Sequence, residues 1–591
     1  MDPPQIAGRG SDDRLSKLRD GVLGHILSFL DAKEAGRAAA LSSRWRHVFA
    51  SVHTVSLEQP EEPVPDYDYD GGYRLRRYDP NQPTPFTVVV NKALFARFRR
   101  PAITAPSVPL RALRVTMDDY GRGDASTVNE WVACAFSLAA PELEIQLDLG
   151  QVPVCKRPDP FRAAAATANS ECDDHSAGKQ SPVPKDIDID DKDVASGDDE
   201  RDPAGEQPPV PKGVDTDDEE DVASSDDEDV ASSDDEKDSR SPNSPSPRDS
   251  QYTVVRQLFS FAALRSLRLG NCRLCPPVTI SLPALEALSL THVPDAEEHV
   301  QKLISACTSL KDLTLEACGT VTTLSLLDNT SLHRLVLRCC HKLANVTINA
   351  MELHTFEYRG AVPGNSFLTV PGGGFPSITS CKIAICTVCL LEEATSEEQL
   401  AMLGSFLQPF TSTKHLHLCA ARMGSCFVAL DLFQALRHLQ LNGRVTNSDV
   451  AAAAATSTIL QRATNLETLT LFFETGPHEL ETRVSGLRYC SNCRKGELLD
   501  AHHLHYSKYD TLDLAGVPIP RCLGSSVRRI NLLHYQGGRA QRALARYLLR
   551  NALVLDKLYC ELEEGPLWIQ EELVREMEGW VVNESASTVF H

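Results

Sequence analysis

The sequence predicts an α/β fold in which short parallel strands stack rung on rung behind a small helical module, with an acidic insert interrupting the stack. Three observations carry this. An apolar comb, Leu15, Leu18, Val22, Leu23, Ile26, Leu27 and Leu30, marks one face of a helix by its three- and four-residue spacing. A pattern L-x-x-L-x-L then recurs at steps of 20 to 30 residues through the second half of the chain. Between them, residues 186–238 hold 24 acidic side chains against four basic ones.

The helical module comes first. After the comb, Asp31 stands three residues before Glu34, the spacing of a capping box that starts a second helix. A third helical segment carries Leu41, Arg44, Trp45 and Val48, and a strand-like run, Thr54 to Leu57, follows. A unit of about 45 residues has little core of its own and is marginal alone, so part of its apolar surface is expected to face a partner.

The repeats are the clearest element. Leu264, Leu267, Leu269, Cys272 and Leu274 fit L-x-x-L-x-L-x-x-C-x-L without a mismatch. Leu285-Leu288-Leu290-Val293, Leu310-Leu313-Leu315-Cys318 and Leu332-Leu335-Leu337-Cys340 follow at steps of 21, 25 and 22. A degenerate copy, Leu353-Phe356-Tyr358, comes next, and later copies stand at Leu436-Leu439-Leu441 and Leu466-Leu469-Leu471. These steps and this consensus are those of leucine-rich repeats, in which each L-x-L is a short strand whose leucines are buried only by neighbouring repeats. Cys272, Cys318 and Cys340 are therefore expected in the core, at the small, weakly polar position after the strand. Leu110-x-x-Leu113-x-Val115 and Leu143-x-Ile145-x-Leu147-x-Leu149 read as weaker, earlier copies. Cys381, Cys386 and Cys389, alternating with Ile383, Ile385 and Val388, read as a buried strand, and Gly372-Gly373-Gly374 as a loop.

From about Phe161 to Asp249 aromatics vanish and Asp, Ser and Pro dominate, leaving too little apolar surface to offset ordering entropy. The local charge of −20 over 186–238 leaves the remainder of the chain near −2 of the overall −22, so acidity belongs to the insert and not to the fold. A solvated linker is the plain reading of this tract. Two functional readings stand beside it. Ser225 and Ser233 precede acidic runs, and Ser241, Ser244 and Ser246 each precede Pro, which suits phosphorylation by acid-directed and proline-directed kinases. Alternatively, the unmodified run binds basic proteins in a salt-dependent way.

Other chemistry is sparse. Cys490 and Cys493, followed by His502, His503 and His505, offer one edge of a tetrahedral metal site. Their gap is shorter than usual and the stretch is polar, so an exposed loop is the favoured reading there. Phosphate-cradling loops, nucleophile elbows and paired-histidine zinc helices do not occur. Arg97, Arg99 and Arg100 read as a solvated helix end rather than a nucleic-acid patch. With no signal peptide at MDPPQIAGRG and no apolar run near the ~18 residues of a membrane span, the 18 cysteines are expected as free thiols in nucleus or cytoplasm.

The N-terminal module resembles the F-box, which docks substrate receptors onto a cullin-type ubiquitin ligase. The resemblance rests on Asp13-Arg14-Leu15-Ser16, Leu23 with Ile26-Leu27-Ser28-Phe29-Leu30, Ala32-Lys33-Glu34-Ala35, and Leu41-Ser42-Ser43-Arg44-Trp45-Arg46. Arg19 stands where the family usually has Pro. The strand Val527 to Leu532, the helical run Gln541 to Asn551 and the following Leu553, Val554, Leu555 and Leu558 resemble the FBD-type extension of plant F-box/leucine-rich-repeat receptors. The repeats and the composition of the insert, together with this resemblance, imply an F-box over 11–55, a first repeat region over 56–160, a disordered insert over 161–250, the repeat solenoid over 251–482 and an FBD-like cap over 483–591. The resemblance further implies that Leu15, Leu18, Leu23, Ile26, Leu27, Leu30, Leu41 and Trp45 form the F-box core or its docking face. A Skp-type adaptor, and through it a cullin, would be the partner, with an unidentified protein substrate on the repeats. No catalytic residue, cofactor, nucleic acid or membrane is implied. The alternatives are a repeat scaffold outside any ligase, or an acidic binder of basic nuclear proteins.

Overall fold

The computed structural model describes residues 17–27, 53–59, 85–95, 109–150, 251–386, 397–445, 450–474, 512–514, 516–563 and 567–591. The chain divides into two units, residues 1–165 with 245–591 and residues 166–244, and all described residues belong to the first.

One parallel sheet of fifteen strands organises that unit. Its strands are β1 (Thr54–Glu58), β2 (Leu110–Met117), β3 (Ala139–Leu149), β4 (Leu264–Gly270), β5 (Ala287–Thr291), β6 (Asp312–Glu316), β7 (Arg334–Arg338), β8 (Thr355–Gly360), β9 (Ser380–Ile385), β10 (His415–Arg422), β11 (His438–Arg444), β12 (Thr468–Phe473), β13 (Arg529–Tyr535), β14 (Lys557–Leu562) and β15 (Ser587–Phe590). Each strand pairs with its successor in the chain, so the order across the sheet is the order of the sequence. Parallel neighbours need a crossover between them. Here the crossovers are helices in places, such as Ala125–Ser137, Glu397–Leu407, Val450–Gln461 and Arg539–Asn551. Elsewhere short strands at Thr323–Leu326, Asn345–Ile348 and Leu368–Thr369 form a second, three-stranded parallel sheet.

Period-two alternation sends the repeat leucines to one side. Leu267, Leu288, Leu313, Leu335, Phe356, Cys381, Leu416, Leu439, Leu469, Ile530 and Leu558 stand in register on consecutive strands. All are buried, and the file two residues further on, from Leu269 through Leu315 to Leu532 and Cys560, is buried with them. The sheet thus confirms the leucine pattern as a strand pattern. It also supplies rungs that the repeat count passes over. β9 is a full rung, and β10 inserts Leu416 and Leu418 where no copy is read from the consensus. The run at Thr54 belongs to the sheet as its first strand, paired with β2, and straddles the expected boundary at residue 55.

The corners after four consecutive strands are left-handed. Asn271, His292, Ala317 and Cys339 follow β4 to β7 with φ of 56°, 51°, 51° and 53°. In each, the corner N–H donates to a carbonyl at the end of the next strand: Asn271 to Thr291, His292 to Glu316, Ala317 to Arg338, Cys339 to Arg359. The left-handed backbone costs an L-residue roughly 1–2 kcal/mol, and Asn and His are among the types that tolerate it best. The corner turns the next residue inward. Cys272 and Cys318 are buried there as expected, while Cys340 is half-buried. The Cys318 and Cys340 thiols donate to the carbonyls of Leu290 and Leu315, the last inward leucines of the preceding strands.

β3 and β4 are direct neighbours, although residues 150–263 lie between them in sequence. The expected insert therefore leaves and re-enters the sheet between adjacent rungs. A shorter excursion separates β12 from β13.

Two substitutions test this account. Leu315→Ala removes a side chain with no exposed surface and is expected to lower stability by about 2–5 kcal/mol. Ala317→Gly relieves the corner two residues away and is expected to raise it by up to about 1 kcal/mol. Urea unfolding of the two variants beside wild type reads both, and a destabilised Ala317→Gly would overturn the corner assignment.

Candidate functional site

The first candidate surface is the helix Asp20–Leu27. The Arg19 carbonyl accepts the N–H of both Val22 and Leu23, at 3.0 and 3.1 Å, so the helix opens from Arg19 without a proline there. Its apolar residues split between two faces. Leu23 and Leu27 are each 1% exposed, whereas Val22 is 47% and Ile26 36% exposed. Leu18 is half-buried. Of the residues implied for docking, Leu23 and Leu27 thus sit in packing and Ile26 lies on the open face. Val22 joins it there, a residue of the comb that the resemblance does not single out. Leu15, Leu30, Leu41 and Trp45 lie outside the described residues, as do the expected second and third helices.

The second surface is the face of the sheet opposite the leucines. Between the two leucine files runs a file of other residues: Arg268, Ser289, Thr314, Val336, Glu357, Lys382, His417 and Gln440. Beside it, Glu316, Arg338 and Arg359 stand on consecutive strands. The Arg338 guanidinium binds Glu357 (Nε to Oε1, 2.5 Å) and reaches Glu316 at 3.5 Å, with Arg334 approaching Glu357 at 3.9 Å. Glu357 and Arg359 are only 2% and 3% exposed, so this network is sheltered from screening by solvent. At the beginnings of the strands, a second chain of pairs runs Glu142, Arg265, Glu286, Lys311. Those groups are largely exposed and contribute little each.

Two histidines on this face titrate in opposite senses. Burial, reinforced by the Lys382 charge, pushes His417 down to about 3. His534, at a left-handed corner (φ 52°), is raised, first by its hydrogen bond to Glu563 (3.2 Å), and also by the charges of Glu561 and Glu563. Its ring lies against Phe472, tilted by 50°, with centroids 4.7 Å apart.

Burial raises the thiols of Cys307 and Cys522, the first pushed up to about 12 and the second to about 11, which keeps them protonated and makes them poor nucleophiles. Cys381 and Cys386 are buried in and just after β9, as expected of a buried strand, while Val388 and Cys389 lie outside the described residues. No group of three or more His, Cys, Asp or Glu that could hold a metal occurs among the described residues. Cys490, Cys493, His502, His503 and His505 lie outside them, and so do Ser225, Ser233, Ser241, Ser244 and Ser246. Among the described residues no helix is long and apolar enough to cross a membrane. The buried Glu357, Arg359 and His417 escape sequence reasoning. Their positions beside inward residues place them on the outer face, but nothing in the pattern marks them as sheltered.

Comparison with known proteins places three family models along the chain. The F-box domain matches residues 15–55, the LRR domain described as At1g61320/AtMIF1 matches 252–370, and FBD matches 517–559. Among curated relatives, the F-box/LRR-repeat protein At2g42720 of Arabidopsis thaliana is 45% identical over 60 residues, 10% of this chain and 14% of the relative. The F-box/LRR-repeat protein At4g14103 of the same plant is 47% identical over 49 residues, 8% and 13% of the two chains. The F-box protein At4g27050, also from Arabidopsis thaliana, is 27% identical over 136 residues, 23% of this chain and 28% of the relative. The chain thus spans about a seventh of the length of the first two relatives and little over a quarter of the third.

Two predictions follow from the charged face. Glu357→Ala leaves Arg338 without its closest partner and is expected to cost about 3 kcal/mol, at the lower end of values for breaking a buried pair because Arg338 keeps some exposure. Calorimetric unfolding of the variant reads it. The histidines set the pH dependence. His417, depressed in the fold, contributes stability above its ordinary value near 6.5 that is lost as pH falls below it. His534, raised in the fold, contributes stability below about 6.5 that is lost as pH rises through its elevated value. Melting curves from pH 5 to 8 should show His417→Gln flattening the acid limb and His534→Gln the alkaline limb.

Proposed function

We propose that this chain, whose F-box, leucine-rich-repeat and FBD matches in that order support the plant F-box/FBD/leucine-rich-repeat family, is the substrate-recognition subunit of a Skp–cullin–F-box ubiquitin ligase. The observation that carries the reading is the split helix at the N-terminus: Leu23 and Leu27 anchor it while Val22 and Ile26 are left open on the adjacent face. An open apolar pair on a helix within an F-box match suits a partner helix.

In this reading residues 11–55 hold the adaptor, a three-helix module of which Leu15, Leu30, Leu41 and Trp45 complete the core or the docking face. Residues 56–160 and 251–482 form one leucine-rich-repeat solenoid, 161–250 are an insert between two of its rungs, and 483–591 continue and cap it. A protein substrate lies on the sheet face lined by Arg268, Thr314, Glu357 and Lys382, where the sheltered charges offer a fixed electrostatic pattern for a complementary surface. The chain performs no bond chemistry itself. It holds the substrate near the thioester of a recruited conjugating enzyme, and the gain is that of effective concentration. Nucleus and cytoplasm both suit such a subunit.

Co-expression with a Skp-type adaptor tests the proposal. Wild type should co-purify stoichiometrically, and Val22→Asp/Ile26→Asp should abolish capture with an unchanged melting curve. Leu23→Asp/Leu27→Asp should lose capture and helix stability together. No capture by wild type, or undiminished capture by the Val22/Ile26 variant, would overturn the reading.

A further inference from the structure

The helix Arg539–Asn551 has an arginine face that the ligase reading does not use. Arg539, Arg542, Arg546 and Arg550 are spaced three, four and four residues apart, which puts all four on one side of the helix. They line a groove of about 490 Å³ whose other walls include Asp513, Glu576 and Trp580. That volume lies within the roughly 300–1,000 Å³ of small-molecule sites. The groove is basic in a chain of net charge −22, with four guanidinium groups against two carboxylates.

The polar groups of the groove differ in what already satisfies them. Arg542 is buried and held by Glu576 through two bonds, Nε to Oε2 at 2.8 Å and Nη2 to Oε1 at 2.5 Å. Tyr547 donates its hydroxyl to the Pro518 carbonyl at 2.6 Å, and Asn551 donates to the Tyr547 carbonyl at 2.7 Å. Arg546 and Arg550 are exposed and make no ion pair or side-chain hydrogen bond among the described residues. Each carries five N–H donors in a planar fork that matches phosphate oxygens two at a time. They stand one turn apart, about 6 Å along the helix axis, a spacing that lets neighbouring phosphates of a chained anion engage one fork each.

We propose that this groove binds a compact anion carrying two or more phosphate groups, with Arg546 and Arg550 as its direct ligands and the Arg542–Glu576 pair as its floor. The site is independent of adaptor docking and of the substrate-bearing sheet face. Its place beside the last strands of the sheet makes it a point where a small phosphorylated molecule stabilises the C-terminal end of the stack by binding the folded form alone.

Titration calorimetry of the full chain with sodium tripolyphosphate tests it. Saturable one-to-one binding is expected, weakened at least tenfold in R546A/R550A, and only partly weakened in R546K/R550K, which keeps the charge but loses the fork. Arg528→Ala, an exposed arginine paired with Asp556 outside the groove, should leave affinity within twofold of wild type. Both substituted arginines are exposed, and superimposable melting curves without ligand would establish that the variants fold. Two peptide arms, one bearing phosphoserine and one rich in unphosphorylated Glu, identify the source of the anion. No saturable binding by wild type, equal binding by R546A/R550A, equal binding of the Glu peptide, or binding of the phosphoserine peptide in place of tripolyphosphate would each overturn the proposal.

Discussion

Burial of each rung of this sheet depends on the rungs beside it. Leu313 and Leu315 face inward from a five-residue strand, in register with Leu288 and Leu290 of β5 and with Leu335 and Leu337 of β7. A single rung has no stable form, so the energy of the array resides in the interfaces between successive rungs. The backbone follows the same rule, with the corner N–H groups of Asn271, His292, Ala317 and Cys339 each directed to the next strand along. The remaining features depend on this neighbour-by-neighbour closure. The charged pairs Arg338–Glu357 and Arg265–Glu286 each bridge adjacent rungs, and so do the cysteine thiols at the corners.

Closure between neighbours explains the tolerance for long excursions. The segment between β3 and β4 is about seven times longer than that between β4 and β5, yet both pairs of strands meet in the same parallel register. Closure entropy grows only with the logarithm of the segment's length, so the longer path costs under about 2 kcal/mol more. An insert carrying most of the chain's net charge, −20 of −22, can thus come between two rungs in sequence without altering either. The same holds between β12 and β13.

How much of this was legible in the sequence depends on the kind of residue. Inward positions announce themselves, since Leu267, Leu288, Leu313 and Leu335 must be apolar and must recur. β9 shows the limit: its inward positions are filled by Cys381 and Ile383, so a consensus written in leucines reads it as a strand but not as a rung. β10 is lost because Thr413 stands where the first leucine of the pattern belongs. The N-terminal helix Asp20–Leu27 was legible as a helix, but the division between Leu23/Leu27 and Val22/Ile26 depends on what packs against it, which periodicity does not encode. The burial of Glu357, Arg359 and His417 depends likewise on side chains from several strands, so no local pattern carries it.

The left-handed corners have a consequence for how such a stack can be observed. Each corner N–H, from Asn271 to Cys339, is tied to the carbonyl at the end of one particular strand and no other. Its protection from solvent deuterium therefore depends on whether that one neighbour is docked. Four consecutive amides thus form a built-in set of gauges. Read together in an exchange experiment, they would show from which end the array frays and how far an opening travels before it closes.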